Sequence, residues 1–210
     1  MNALKAEIRK GQRRLLDWIV GHFPGIGLDR RAEDFVSIFK EFIPEAAQVL
    51  DIGGGWGFYA EPLKRSRNCE VTVLDVEAPR FRKAPVVVYG GEKMPFPDRS
   101  FDVSLLVTVL HHVKSPEAVL AEAKRVTRQI VIVVEDLYRN AIERFWTIVR
   151  DSFYNLEFVG HPRNFRTQEE WIQCFQTLGF QVEYQKEVGT SLLGIPILNG
   201  YFILRSETNG

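Results

Sequence analysis

Residues 49 to 63, VLDIGGGWGFYAEPL, place Asp51 two positions ahead of three alternating glycines, Gly53, Gly55 and Gly57, with Gly54 among them. A glycine-rich turn that leaves a strand and enters a helix lets the backbone approach a ligand closely and offers free amides at the helix start. Pro62 locates that start: proline is tolerated only in a first turn, so the helix begins near Tyr59. Tight strand–helix packing is the competing use of the same glycines. Asp75 closes VTVLDV, a position from which a carboxylate can accept hydrogen bonds from both hydroxyls of a ribose. His111 and His112 follow FDVSLLVTV, and Glu135 and Asp136 end QIVIVVED. These groups fall at the carboxyl ends of strands, where ligands sit in open α/β sheets, and histidine titrates near working pH. The two cysteines, Cys69 and Cys174, lie far apart, and no Cys/His/carboxylate group has ligand spacing, so no metal is expected.

The elements that must position these residues read as α/β. QVLDIG, EVTVLDV, PVVVYG, FDVSLLVTV and QIVIVVED are short, β-branched and apolar on both faces, which suits a parallel sheet covered on both sides. SPEAVLAEAKRV is a helix with Ser115 as N-cap, Pro116 in the first position, and a stripe of Val119, Ala123 and Val126. TQEEWIQCFQTLGF opens on a Thr167–Glu170 capping box, buries Trp171, Phe175 and Leu178, and stops at Gly179. FQVEYQKEV and GYFILRSE read as two closing strands. Ahead of the first strand, FVSIFKEF puts Phe35, Ile38, Phe39 and Phe42 on one buried face. Residues 3 to 20 group Leu4, Ile8, Leu15 and Ile19 apart from Lys5, Arg9, Lys10, Arg13 and Arg14. A packed helix with a solvated basic face is expected there, and a membrane-surface helix is the alternative.

With 210 residues, the chain suits one domain. It divides into N-terminal helices (1–45), a ligand-binding half (46–135), a helical cap (136–166), and a C-terminal helix with strands (167–210). Its 27 basic and 27 acidic residues cancel, so no global field favours nucleic acid or an anionic membrane. The N-terminus lacks the apolar core of a signal peptide, no run reaches membrane-spanning length, and a cytoplasmic protein is the expectation. The oligomeric state is not legible.

Two kinds of nucleotide cofactor compete for the glycine turn. A dinucleotide fingerprint from Gly53 would need glycine at 58, where Phe58 stands, which disfavours a nicotinamide-dependent oxidoreductase. With Asp51-x-Gly53-x-Gly55-x-Gly57, then Asp75, then GGEKMPFPDRSFDVSLLVTVLHHVKSPEAVLAEAKRV, the chain resembles the class I S-adenosylmethionine-dependent methyltransferases, over residues 49 to 126. Within them it is similar to the small-molecule branch that includes quinone-biosynthesis methyltransferases. The resemblance implies a Rossmann-like, seven-stranded, mostly parallel sheet of order 3-2-1-4-5-7-6 with the last strand antiparallel. It implies S-adenosyl-L-methionine as cofactor, with Gly53, Gly54, Gly55 and Gly57 around its methionine part and Asp51 beneath. Asp75 would hold the ribose with Val76 beside it, Glu92, Lys93 and Met94 would border the adenine, and Val107 and Thr108 would flank the methionine tail.

Three features depart from that pattern. The family's usual adenine-binding aspartate falls on Gly90, with Glu92 as substitute. The LKPGG turn before strand five is replaced by VTRQ, which makes a tighter connection. VEAPRFRKAP, with two prolines, is too short for a full crossover helix.

Methyl transfer from a sulfonium is in-line displacement, so the protein chiefly aligns the reactants and excludes water. A base is needed only where the acceptor keeps its proton. His112 is the histidine placed nearer the acceptor and His111 the one packed toward the cofactor, although relatives with different acceptors share the pair. The acceptor is read as a small molecule with an apolar body. No basic-aromatic patch marks nucleic acid. In residues 136 to 165, Ile142, Phe145, Trp146 and Val149 form one helix face, followed by Phe153, Tyr154, Phe158 and Phe165. These residues are expected to cover the sheet and cap an apolar acceptor pocket. A non-catalytic binder of the same cofactor, with that pocket blocked, is the alternative class.

Overall fold

The computed structural model describes residues 2–23, 27–155, 162–192 and 195–206. The β-branched runs form strands β1 (Gln48–Ile52), β2 (Glu70–Asp75), β3 (Val86–Val88), β4 (Phe101–Val107) and β5 (Thr127–Asp136), followed by β6 (Phe180–Leu192) and β7 (Ile195–Ser206). They make one seven-stranded sheet of order β3-β2-β1-β4-β5-β7-β6. The first five strands pair in parallel, and β7 runs antiparallel between β5 and β6. β6 and β7 extend through residues 189 to 192 and 195 to 199, which the sequence reading leaves between two shorter strands. Their ladder continues from Phe180↔Ser206 to Leu192↔Ile195, because a hairpin partner satisfies the backbone whatever the side chains prefer.

Alternate residues of the central strands feed two cores. Ile130 and Ile132 of β5 join Val103, Leu105 and Ile203 beneath the helix α2 (Leu28–Phe39), whose Phe35 and Phe39 are buried, and the helix α3 (Ala60–Arg67). Val131 and Val133 face the other way, into a core closed by α4 (Pro116–Val126) and α6 (Gln168–Thr177) through Leu120, Ala123, Trp171 and Phe175. Both faces of the sheet are thus covered, as its apolar alternation requires. The Thr167–Glu170 capping box is formed and Tyr59 is the N-cap residue of α3. Ser115 occupies the N-cap position of α4, but its side chain makes no capping bond, and Pro116 alone marks the start. α4 passes directly into β5 at Thr127, and residues 76–85 form an irregular link.

Two helices depart from the sequence reading. In α1 (Asn2–His22) Ile8 and Leu15 are 40% and 50% exposed, and no described side chain of the helix is buried. Leu4, Lys5 and Arg9 lie outside the described side chains. In α5 (Ala141–Tyr154) the expected packing face is turned outward: Ile142, Phe145 and Trp146 are exposed, while Thr147, Arg150, Asp151 and Ser152 are buried. Phe153 and Tyr154 are also exposed, Phe165 is buried, and Phe158 lies outside the described residues. The reason is electrostatic. Arg150 Nη2 donates to Asp136 at 2.5 Å beneath α5, and an unpaired charge buried there would cost more than an exposed aromatic face.

Candidate active site

The glycine turn follows β1. Gly53 has φ +71°, and its N–H donates to the Leu74 carbonyl at 2.7 Å. A Cβ on Gly53 would stand 2.2 Å from Val109 Cγ2, so no larger residue fits between β1 and the end of β4. Gly55 and Gly57 share the left-handed conformation. The Gly55 N–H donates to Asp75 Oδ2 at 3.0 Å, and the Glu77 N–H donates to Asp75 Oδ1 at 3.2 Å. Asp75 therefore braces the turn as well as facing the cavity beside it.

Asp51 lies beneath the turn, 1% exposed, and neither carboxylate oxygen has a hydrogen-bond partner. A Cβ on Gly54 would come within 2.2 Å of Asp51 Oδ2. Burial first, and then the charge of Asp75, push the Asp51 carboxyl up to about 7. A buried carboxylate without partners, directly under the glycine turn, is a place where a cationic ligand is stabilised.

The turn opens on a cavity of about 1090 Å³. Gly53, Gly54, Gly55, Asp75, Val76, Val107, Thr108 and His112 line it. Thr108 holds φ +52°, a strained conformation for a β-branched residue, with its N–H on the Val134 carbonyl at 2.7 Å. Glu92, Lys93 and Met94 do not reach the cavity. The first two are exposed beyond β3, and Met94 is 1% exposed in the core with its N–H on Glu122. Glu77 and Tyr89 stand on the cavity wall instead.

Sequence reasoning also missed a whole wall. Arg13, Asp17 and Trp18 of α1 line the cavity. Asp17 accepts from Trp56 Nε1 at 3.1 Å and from the Arg80 N–H at 2.9 Å, and Arg13 Nε lies 3.3 Å from Glu77. Gly21 seats the Phe81 ring, which a Cβ would meet at 2.2 Å. The charges on α1 were visible, but nothing in sequence indicated which face turns inward.

The two histidines part company. His112, with a side chain 24% exposed, lines the cavity. His111, expected toward the cofactor, is instead buried behind it. Its Nδ1 donates to Glu135 Oε2 at 2.5 Å, its Nε2 lies 3.4 Å from Asp151 Oδ1, and its ring stacks on Phe165 at 4.5 Å. Glu135 Oε1 accepts from the Val109 and Leu110 N–H groups at 2.9 and 2.7 Å, which fixes the loop that carries both histidines. Burial alone would push the His111 imidazole down. The charge of Glu135 and the hydrogen bonds to Asp151 and Glu135 outweigh it and hold the group up at about 10. His112 Nε2 lies 3.7 Å from the same Asp151 oxygen.

Sheet order and glycine turn together define a class I S-adenosylmethionine-dependent methyltransferase fold. Residues 50–134 match the family described as the methyltransferase domain. An uncharacterized protein of Methanocaldococcus jannaschii is 27% identical, with 70% of each chain covered. An uncharacterized methyltransferase of a Mycobacterium species is 35% identical over 42% of this chain, and the match spans only 37% of that relative's length. A demethylmenaquinone methyltransferase of Thermotoga maritima is 24% identical, over 84% of this chain and 91% of the relative. Among solved structures, a protein from Pyrococcus horikoshii has a TM-score of 0.67 at 15% identity, covering 90% of this chain and 95% of that one. A SAM dependent methyltransferase from Aquifex aeolicus has 0.58 at 21% identity, covering 82% and 92%. These two carry the fold alone. S-adenosylmethionine is the cofactor, and it fits the residues present: a cationic ligand on the turn answers the partnerless Asp51 carboxylate.

Proposed function

We propose that the chain methylates a small hydroquinone-like acceptor, an electron-rich ring with an apolar body. One observation carries the reading: a single cavity is lined by the glycine turn and Asp75 and also by Val109, Val113 and Val119, with His112 among them. The Thermotoga relative, named for demethylmenaquinone, supports the acceptor class.

S-adenosylmethionine, when bound, supplies an electrophilic methyl group. Asp75 accepts hydrogen bonds from its ribose while bracing the turn. Val76, Glu77 and Tyr89 border the adenine in place of Glu92, Lys93 and Met94. Val107 and Thr108 hold the methionine end. The α1 wall excludes water, which strengthens every polar contact inside. His112 would receive the acceptor's hydroxyl proton, leaving the ring carbon nucleophilic toward the methyl group. The hydrogen of that carbon would then return to the oxygen as the ring regains aromaticity, so that one proton in all is released. Asp151 lies 3.7 Å from the His112 imidazole that takes it.

Cofactor carrying a labelled methyl group should label hydroquinones at carbon, and His112→Ala should lower turnover by roughly 10²–10⁴-fold with cofactor affinity nearly unchanged. Labelling of amines or thiols but of no hydroquinone would reject the acceptor class. Asp75→Ala should weaken cofactor binding by calorimetry at least about tenfold, since each charge-assisted bond is worth roughly 1.5–3 kcal/mol. Unchanged affinity would remove Asp75 from the ribose.

A further inference from the structure

Behind the cavity wall, three side chains converge from two elements distant in sequence, which is why no ligand spacing shows along the chain. His111 and His112 lie in the 3₁₀ turn Leu110–His112 after β4, and Asp151 lies on the buried face of α5. The ligand atoms of all three stand within 4.8 Å of one another, and the described residues hold no second such group. Asp151 Oδ1 is shared, 3.4 Å from His111 Nε2 and 3.7 Å from His112 Nε2.

We propose that His111, His112 and Asp151 bind one divalent transition-metal ion at the wall of the cavity. A metal holding nitrogen and oxygen at about 2.0–2.2 Å in tetrahedral geometry sets its ligand atoms roughly 3.3–3.6 Å apart. The 3.4 Å separation of His111 from Asp151 already matches that edge, and the 3.7 Å separation of His112 lies just beyond it. A turn of the His112 ring, the one side chain of the three that is partly exposed, would draw its nitrogen in.

The surrounding groups fit the same reading. Glu135 takes the Nδ1–H of His111 and so directs Nε2 at the cluster, the carboxylate–histidine arrangement that orients metal-bound imidazoles. Glu135 is itself held by two backbone amides, so this support is rigid. With Glu135 behind the imidazole and Asp151 in front of it, the site selects for positive charge. Two imidazole nitrogens and one carboxylate oxygen suit Zn²⁺, Fe²⁺, Mn²⁺ or Co²⁺ rather than Ca²⁺ or Mg²⁺, which take oxygen shells. Three protein ligands leave positions open, and His112 brings the cluster to the cavity. An acceptor oxygen would occupy such a position, a role that rests on the proposed function. With the ion bound, His112 is its ligand and the ion would acidify the acceptor hydroxyl, so the base role given to His112 above is that of the ion-free protein.

The ion itself is tested without cofactor or acceptor, so its failure is separate from failure of the methyl-transfer reading. Full-length protein is stripped with a chelator and titrated with Co²⁺, followed by visible absorption, and with Zn²⁺ by calorimetry. One equivalent of each should bind, and azide should shift the Co²⁺ band by taking an open position. His112→Ala, at the most exposed of the three ligands, should weaken binding at least tenfold, as should Asp151→Asn. Glu135→Gln should weaken it about 10–100-fold through ligand orientation. A folded wild type that gives neither a Co²⁺ band nor Zn²⁺ heat overturns the proposal. So does a band that survives both His112→Ala and Asp151→Asn, which would place the ion elsewhere. A band that azide leaves unchanged removes the open position.

Discussion

Asp51 shows how a single residue trades stability for a ligand. Its carboxyl is raised from 3.8 to about 7, so the native state holds the proton more tightly than the unfolded chain. The stability this group contributes is complete below pH 3.8 and is lost as pH rises through about 7. It amounts to roughly 4 kcal/mol at most, since each tenfold gain in proton affinity is worth about 1.36 kcal/mol. Asp51→Asn should therefore flatten the fall in melting temperature between pH 5 and 8 in cofactor-free protein. The variant should melt higher than the wild type at pH 8 and bind S-adenosylmethionine more weakly. A variant with the wild-type slope would place the strain elsewhere. The type and spacing of Asp51 were legible in sequence, but its want of a partner was not, because that depends on Gly54 admitting the carboxylate under the turn.

At the scale of elements, helix α5 inverts its hydrophobic periodicity. Its apolar face looks outward because Asp136, at the end of β5, needs Arg150, and Asn199 Nδ2 supplies a second donor at 2.6 Å. Phe145→Ser and Trp146→Ser should accordingly shift stability by no more than about 0.5 kcal/mol, as exposed substitutions do. Arg150→Ala should cost roughly 3–5 kcal/mol by stranding a buried carboxylate. Denaturant midpoints measure both, and a large loss from the aromatic changes would mean that face is covered. Periodicity located the helix correctly but assigned its faces by a rule that holds only over an apolar floor.

For the molecule as a whole, the sheet is self-sufficient and α1 is an addition to it. With no described side chain of α1 buried, deleting residues 1–22 should leave the cooperative unfolding of the sheet nearly unchanged. Cofactor affinity should fall at least about tenfold, because Asp17 no longer holds Trp56 and the 76–85 link in place. Calorimetry alongside melting separates the two effects. Wild-type affinity in the truncated chain would show that α1 plays no part in the site.

The strands, the helix starts at Tyr59 and Thr167, the glycine turn and the strand-end position of Asp75 were all readable from the chain, because each rests on local chemistry or on alternation within one segment. The order of the strands followed from the motifs those segments share with a known family. Strand alternation marks a buried strand wherever its partners lie, and a glycine at positive φ serves the same need in any context. The pairing of His111 with Glu135 and Asp151, the inward face of α1 and the outward face of α5 were decided by the tertiary structure alone. Each depends on which partner lies opposite across distances of 14 to 63 residues. In a low-dielectric interior that opposing charge outweighs the few tenths of a kcal/mol by which local pattern prefers one helix face over another.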